Sequence, residues 1–229
     1  MRKIFNPTVL ILTFSLGVLL VTAWLFVQDK QNQKPKIIPP IANDLVANSN
    51  SEDEESYAVY SALIENISVN QKSDLIVIEE ETTGCKPPFG SSSDKRGYEL
   101  IKEWENQVLK KFTDLSNETL HNFQNKRKHC DLLKSDLDAS VNYILVSEKE
   151  IDFLIDQRND PNWGKLSAKY PNSYGFNKFS KIGFNREMTQ ALVYTEHSCG
   201  SLCGETSFVW LRKKNNIWIV EENASILVF

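Results

Sequence analysis

The spacing of hydrophobic and polar positions changes several times along the chain, and each change marks an element. From Thr8 to Val27 there is no charged residue, while Leu, Ile, Phe, Val and Trp recur. A helix crosses a bilayer with roughly 20 apolar residues. Residues 8–27 are therefore expected to form a transmembrane signal anchor, with 1–7 as a cytoplasmic N-terminus. Val21-Thr22-Ala23 has the small-residue form of a cleavage site, but the apolar run continues through Trp24, Leu25, Phe26 and Val27 and favours an uncleaved anchor. Residues 28–50 turn to Gln, Asn, Lys and Pro, with Pro39-Pro40 at the centre. Such a stretch cannot bury enough apolar surface to offset its ordering entropy, and it reads as a flexible tether.

Helical periodicity begins near Ser51. Ser51 and Glu54 have capping-box spacing, and the acids from Glu52 to Glu55 would suit the positive end of a helix dipole. Tyr60, Leu63, Ile64 and Ile67 then share one helical face. Leu75-Ile76-Val77-Ile78 predicts a strand buried on both faces. Ile101, Trp104, Val108, Phe112 and Leu115 predict a helix from Tyr98 to Leu115, and Leu120 and Phe123 predict another over 118–128. Val141 to Val146 reads as a strand. Ser147 and Glu150 repeat the capping-box spacing ahead of Ile151, Leu154 and Ile155. Residues 159–177 mix Pro161, Gly164, Pro171 and Gly175 with Trp163, Tyr170 and Tyr174, which predicts a structured loop. Aromatics exposed there could stack on a glycan or peptide, although packing beneath the loop is their commoner fate.

The last third alternates with strand period. Strands are expected at 179–185, 190–195, 207–213 and 217–222, with a final strand at 225–229. Ala191 and Val193 oppose Leu192 and Tyr194, and Val209 and Leu211 oppose Phe208 and Trp210. Asn215 and Asn216 suit a hairpin turn, because asparagine tolerates positive φ. Residues 197–205 are expected to form a cysteine-bearing loop. The predicted fold class is α+β: helices packed on a mainly antiparallel sheet with a C-terminal β-meander, in one extracytoplasmic domain over 51–229.

Composition narrows the functional classes. A chain of 229 residues with 41% hydrophobic content supports one sizeable core behind its anchor. A net charge of -4 gives no broad basic footprint, which argues against nucleic acid as a partner. Arg2 and Lys3 precede the apolar segment and Lys30, Lys34 and Lys36 follow it, so charge alone does not orient the span. The even count of four cysteines favours an oxidising compartment, hence a main domain outside the cytoplasm. Cys199 and Cys203 are each followed by glycine and can close a local disulfide, while pairings that involve Cys85 and Cys130 stay open. A second reading adds His197, since an imidazole and two thiolates can hold copper or zinc, although no fourth ligand is visible. A third makes the cysteines a thiol-redox pair, against which Glu196 and Glu205 would raise the thiol pKa.

Glu79-Glu80-Glu81 follow the first strand directly. Three adjacent carboxylates can act as an acid/base or metal cluster, and more simply form a solvated strand end. No Gly-x-Ser-x-Gly elbow, phosphate-binding glycine loop or His-Glu-x-x-His occurs. His121 and His129 lie beside a basic helix end with its own structural account. Asn66, Asn117 and Asn223 head glycosylation sequons.

The runs Phe179-Ser180-Lys181-Ile182-Gly183-Phe184-Asn185, Gln190-Ala191-Leu192-Val193-Tyr194, Cys199-Gly200-Ser201-Leu202-Cys203-Gly204 and Trp218-Ile219-Val220 resemble a group of uncharacterised bacterial exported proteins. Tyr60 to Leu63 and Ile76 to Ile78 echo it more weakly. The resemblance implies a bacterial envelope location and supplies no activity. The helix-then-meander order also loosely resembles the cone-shaped NTF2-like folds, an analogy of fold that does not carry function. The expectation is a binding or interaction module for a protein or small-molecule ligand, without a cofactor and not catalytic.

Overall fold

The computed structural model describes residues 44–84, 110–155 and 163–228, with a few helical positions between 99 and 107. Among the described residues no helix is long and apolar enough to cross a membrane. The expected anchor at 8–27, the N-terminus at 1–7 and residues 28–43 of the tether lie outside them. The chain divides at Leu45, and the architecture below is that of the unit from Val46 onward.

Helix α1 spans Asp44–Gln71, so it starts before Ser51 and the capping-box expectation there is corrected. A capping box is a local pattern. Leu45, Val46 and Ala47 are adequate helix formers, and nothing in them stops the helix from extending backward. The acids at 52–55 consequently sit inside the helix. Glu55 accepts a hydrogen bond from Trp218 Nε1 at 2.7 Å and pairs with Lys213, and Glu52 pairs with Lys126.

Strand β1 is Leu75–Glu79. Helix α2 is Asn117–Lys126, capped by Ser116, whose side chain accepts from Thr119 N. Strand β2 is Asn142–Val146. Helix α3 is Glu148–Ile155, and Ser147 Oγ accepts from Glu150 N at 3.3 Å. Helix α4, Trp163–Lys169, occupies part of the stretch expected to be a loop. Its stacked Trp163 and Phe176 rings and buried Leu166 show why: the aromatics there have a core to cover. Strands β3 (Phe176–Phe179), β4 (Gly183–Phe184), β5 (Gln190–Gly200), β6 (Cys203–Lys214) and β7 (Ile217–Val228) complete a seven-stranded sheet.

The sheet runs β2-β1-β3-β5-β6-β7, with β4 also pairing β5. Strand β1 is parallel to both β2 and β3, and the remaining pairs are antiparallel, so the sheet is mixed. Burial of β1 on both faces matches its unbroken apolar run, with Ile76, Val77 and Ile78 all at 1% exposure or less. The expected strand over 179–185 is broken. Ser180 N donates to Tyr194 O, and Ser180 Oγ accepts from Tyr194 N at 2.9 Å, so a side chain replaces a ladder carbonyl between β3 and β4.

The pleat divides the core as the alternation predicts. Ile76, Ile78, Phe179, Ala191, Val193, Val209 and Leu211 face Val59, Tyr60, Leu63 and Ile64 of α1. On the opposite face Leu192, Tyr194, Phe208 and Trp210 meet Leu120 and Phe123 of α2, with Phe112 and Leu115. Val77, Val146 and Phe176 meet α3 and α4 on that same face. The result is a three-layer α/β/α arrangement within the α+β class.

Candidate functional site

Strands β5 and β6 run through the residues expected to form a cysteine-bearing loop. His197 pairs with Glu205 and Ser198 with Gly204, and the loop shrinks to Ser201 and Leu202. The polar run His197-Ser198-Cys199-Gly200 hides the strand because its pairing is carried by the backbone. At Cys199 the register shifts by one residue, and the bulge brings Cys199 to Cys203 with Cα atoms 5.1 Å apart in a disulfide. Cys130 is also disulfide-bonded. Cys85 lies outside the described residues. A disulfide offers no thiolate, so in this form Cys199 and Cys203 provide His197 with no metal-ligand partners.

Strand period places Thr195, His197, Glu205, Ser207 and Val209 on the α1 face of the sheet. There the last turns of α1 stand off from the strands and leave a cleft of about 400 Å³. Leu63, Ile67 and Val209 form its apolar floor, and Asn66, Asn70, Gln71, Asn177 and Asn223 bring side-chain amides to its walls. Tyr174 stands at the rim, 53% exposed, stacked on His197 with ring centroids 5.6 Å apart and planes at 23°. Gly175 beside it holds φ 77°, and a Cβ there would overlap Ser198 O. Only glycine lets the segment approach β5 closely enough to lay Tyr174 over His197.

Gln71 Nε2 lies 3.1 Å from Asn177 Oδ1 and 3.1 Å from His197 Nδ1. An amide NH2 can only donate, so Nδ1 accepts and the neutral ring carries its hydrogen on Nε2. That Nε2 is fully buried. Burial lowers the imidazole pKa from its usual value, with the Phe176 carbonyl and the Glu205 carboxylate pulling the other way. The buried site thus favours the neutral ring. Glu205 Oε1 accepts from Ser207 Oγ at 2.9 Å and from Ser225 Oγ.

The carboxylates after β1 behave differently from one another. Glu79 is the last residue of β1 and only 3% exposed, which corrects the solvated-strand-end expectation for that residue. Its Oε2 pairs with Lys178 of β3 at 2.7 Å. Glu79, Glu81 and Glu148 bring oxygens within 4.8 Å of one another, while Glu80 does not join them. An all-oxygen set suits a hard cation, but the Lys178 ammonium already supplies positive charge against Glu79. Lys178 also faces Glu196 across the β3–β5 ladder. Glu196 is 5% exposed and accepts from Thr83 Oγ1 at 3.1 Å. Burial raises its pKa above the usual carboxylate value and Glu79 adds to that, against the pull of Lys178, Tyr194 and Thr83.

His197, Cys199 and Cys203 were thus accessible from sequence as a group. Gln71, Tyr174 and Asn177, which build the cleft around His197, carry no local signal, since each comes from a different element. Lys178, Glu148 and Glu196 joined Glu79 for the same reason. Comparison of the chain with protein-family models, with curated proteins and with solved structures finds no match.

Proposed function

We propose that residues 51–229 form a non-catalytic binding module for a small ligand, held outside the cytoplasm by the apolar segment 8–27. The observation that carries the binding reading is the cleft on the α1 face, where side-chain amides surround an apolar floor with the Tyr174 ring at the rim. Binding is favoured over catalysis because His197 Nδ1 is tied to Gln71 and the Ser207 hydroxyl beside it donates to Glu205. The disulfide at the β5–β6 tip supports an oxidising location.

A thermal-shift screen of the full-length chain against classes of small molecules tests the binding. A ligand should raise the Tm of the wild type and leave unchanged that of Thr195→Trp, which fills the cleft. An equal rise in both proteins would place binding elsewhere and end the proposal for this site. For location, alkaline phosphatase fused after Phe229 should be active, since the enzyme folds only after export; an inactive fusion made in normal amounts would reverse the orientation.

A second reading, thiol-redox exchange at Cys199 and Cys203, is favoured by one contact: Tyr174 Oη lies 3.7 Å from Cys203 Sγ, at the open end of the hairpin. A reduction potential in the range of redox-active pairs, above about -270 mV, would support it, and one below about -300 mV would mark a structural bond.

A further inference from the structure

The chemistry of the cleft walls selects among ligand classes. Among the described residues no Lys or Arg lines the cleft, and burial disfavours the charged form of His197, so a phosphate or carboxylate meets no ready counter-charge there. Negative charge is also limited. Glu196 lies on β5 among the lining residues, but its carboxylate accepts from Thr83 and faces Lys178, on the side of the sheet away from α1. Glu205 stays as one carboxylate acceptor at the wall, its Oε1 accepting from two seryl hydroxyls. Around that acceptor the walls are side-chain amides that both donate and accept. Asn70 Nδ2 donates to Asn66 Oδ1 at 2.9 Å, which leaves the Asn66 amide hydrogens and the Asn70 carbonyl turned to other partners.

One further feature points the same way. Tyr174 presents more than half of its surface at the rim while His197 fixes its ring by stacking, which makes a rigid aromatic platform.

We propose that the cleft binds a neutral, hydroxyl-rich ligand of the saccharide class, with one sugar face against Tyr174 and its hydroxyls against Asn66 and Asn70. A saccharide ring has an apolar C–H face for the aromatic platform and hydroxyls that donate and accept around its edge, which is the complement of these walls. The inference rests on the cleft being the binding site, and it adds the class of ligand.

The test is calorimetric titration of the full-length chain, kept in a sugar-free amphipol, with maltotriose, cellobiose and chitobiose, and in parallel with spermidine and citrate. At least one neutral saccharide should bind, Tyr174→Ala should weaken it tenfold or more, and Tyr174→Phe should bind within about threefold of the wild type, since the ring and not the hydroxyl is the platform. Thr195→Trp should abolish the signal. Binding of spermidine or citrate alone, lost in Thr195→Trp, would overturn the saccharide class and leave the cleft as a ligand site. Saccharide binding indifferent to both Tyr174→Ala and Thr195→Trp would overturn the assignment of the site. No heat with any of the five probes would overturn the saccharide class, and failure of the thermal-shift screen as well would remove the binding reading itself.

Discussion

At position 183 the approach of α2 leaves no room for a side chain: a Cβ on Gly183 would overlap the backbone N and Cα of Phe123. Gly183→Ala should therefore push α2 away from β4 and destabilise the protein by about 1–3 kcal/mol, measured as a lower urea midpoint. Chemical logic at this scale is equally specific for His197. Its folded pKa is lowered, so below the unfolded value near 6.5 the unfolded chain binds the proton and the folded chain resists it. Stability should fall as pH drops through that window, with Tyr174, Gln71, Asn177 and Glu205 facing the ring. His197→Gln should flatten the dependence between pH 7 and 5. An unchanged slope in that variant would assign the effect to another group. The histidine itself stood out in the sequence beside the cysteines. Its partners did not, because Gln71 lies at the end of a helix 126 residues away, and nothing local couples them.

Among the elements, legibility followed burial. Helices α2 and α3 show Leu120 and Phe123, or Ile151, Leu154 and Ile155, buried at the spacing the sequence displays. The turn at Asn215 and Asn216 was readable too, and both residues hold positive φ, at 50° and 64°. The outer half of the β5–β6 hairpin was not, since His197, Ser198, Glu205 and Thr206 pair through backbone and break the apolar alternation. Strand β7 was divided in two for a related reason. Register shifts opposite Thr206/Ser207 and Trp210/Leu211 each turn its side chains over, so one strand of 12 residues displays no single period. The tip of that hairpin is where the disulfide acts. It closes a loop of only a few residues, for which chain-entropy arguments give a stabilisation of about 2 kcal/mol. The double variant Cys199→Ser/Cys203→Ser should lose no more than that in a denaturant titration. Its amide hydrogens at 198–205 should exchange faster while those at 191–194 stay protected. A global collapse would show that the tip organises the whole meander.

Across the whole molecule, the two layers of helices use the sheet unequally. The α1 face is apolar toward one end and polar at the cleft, whereas the opposite face carries two apolar clusters with a charged seam between them. That seam joins three strands: Glu79 ends β1, Lys178 lies on β3 and Glu196 on β5, with Thr83 closing over the last. One ammonium thus serves two buried carboxylates, and the group with the raised pKa is the one Lys178 satisfies less directly, Glu196. The sign of the resulting pH effect is opposite to that of His197. A carboxyl with a raised folded pKa binds its proton in the folded state at a pH where the unfolded chain has released it, so stability is greatest at low pH and declines as pH rises from the unfolded value upward. Glu196→Gln, which keeps the acceptor for Thr83 and removes the charge, should abolish that decline and gain stability at pH 7. Lys178→Met should do the reverse, leaving Glu79 and Glu196 without their common cation at a cost of about 3–5 kcal/mol near neutral pH. Combining Lys178→Met with Glu196→Gln should recover more than Glu196→Gln gains alone, because it removes the charge that Lys178 had offset at Glu196. Additive effects in this cycle, read from urea unfolding at pH 5 and pH 7.5, would show that the lysine acts on Glu79 alone and that the seam is two independent contacts.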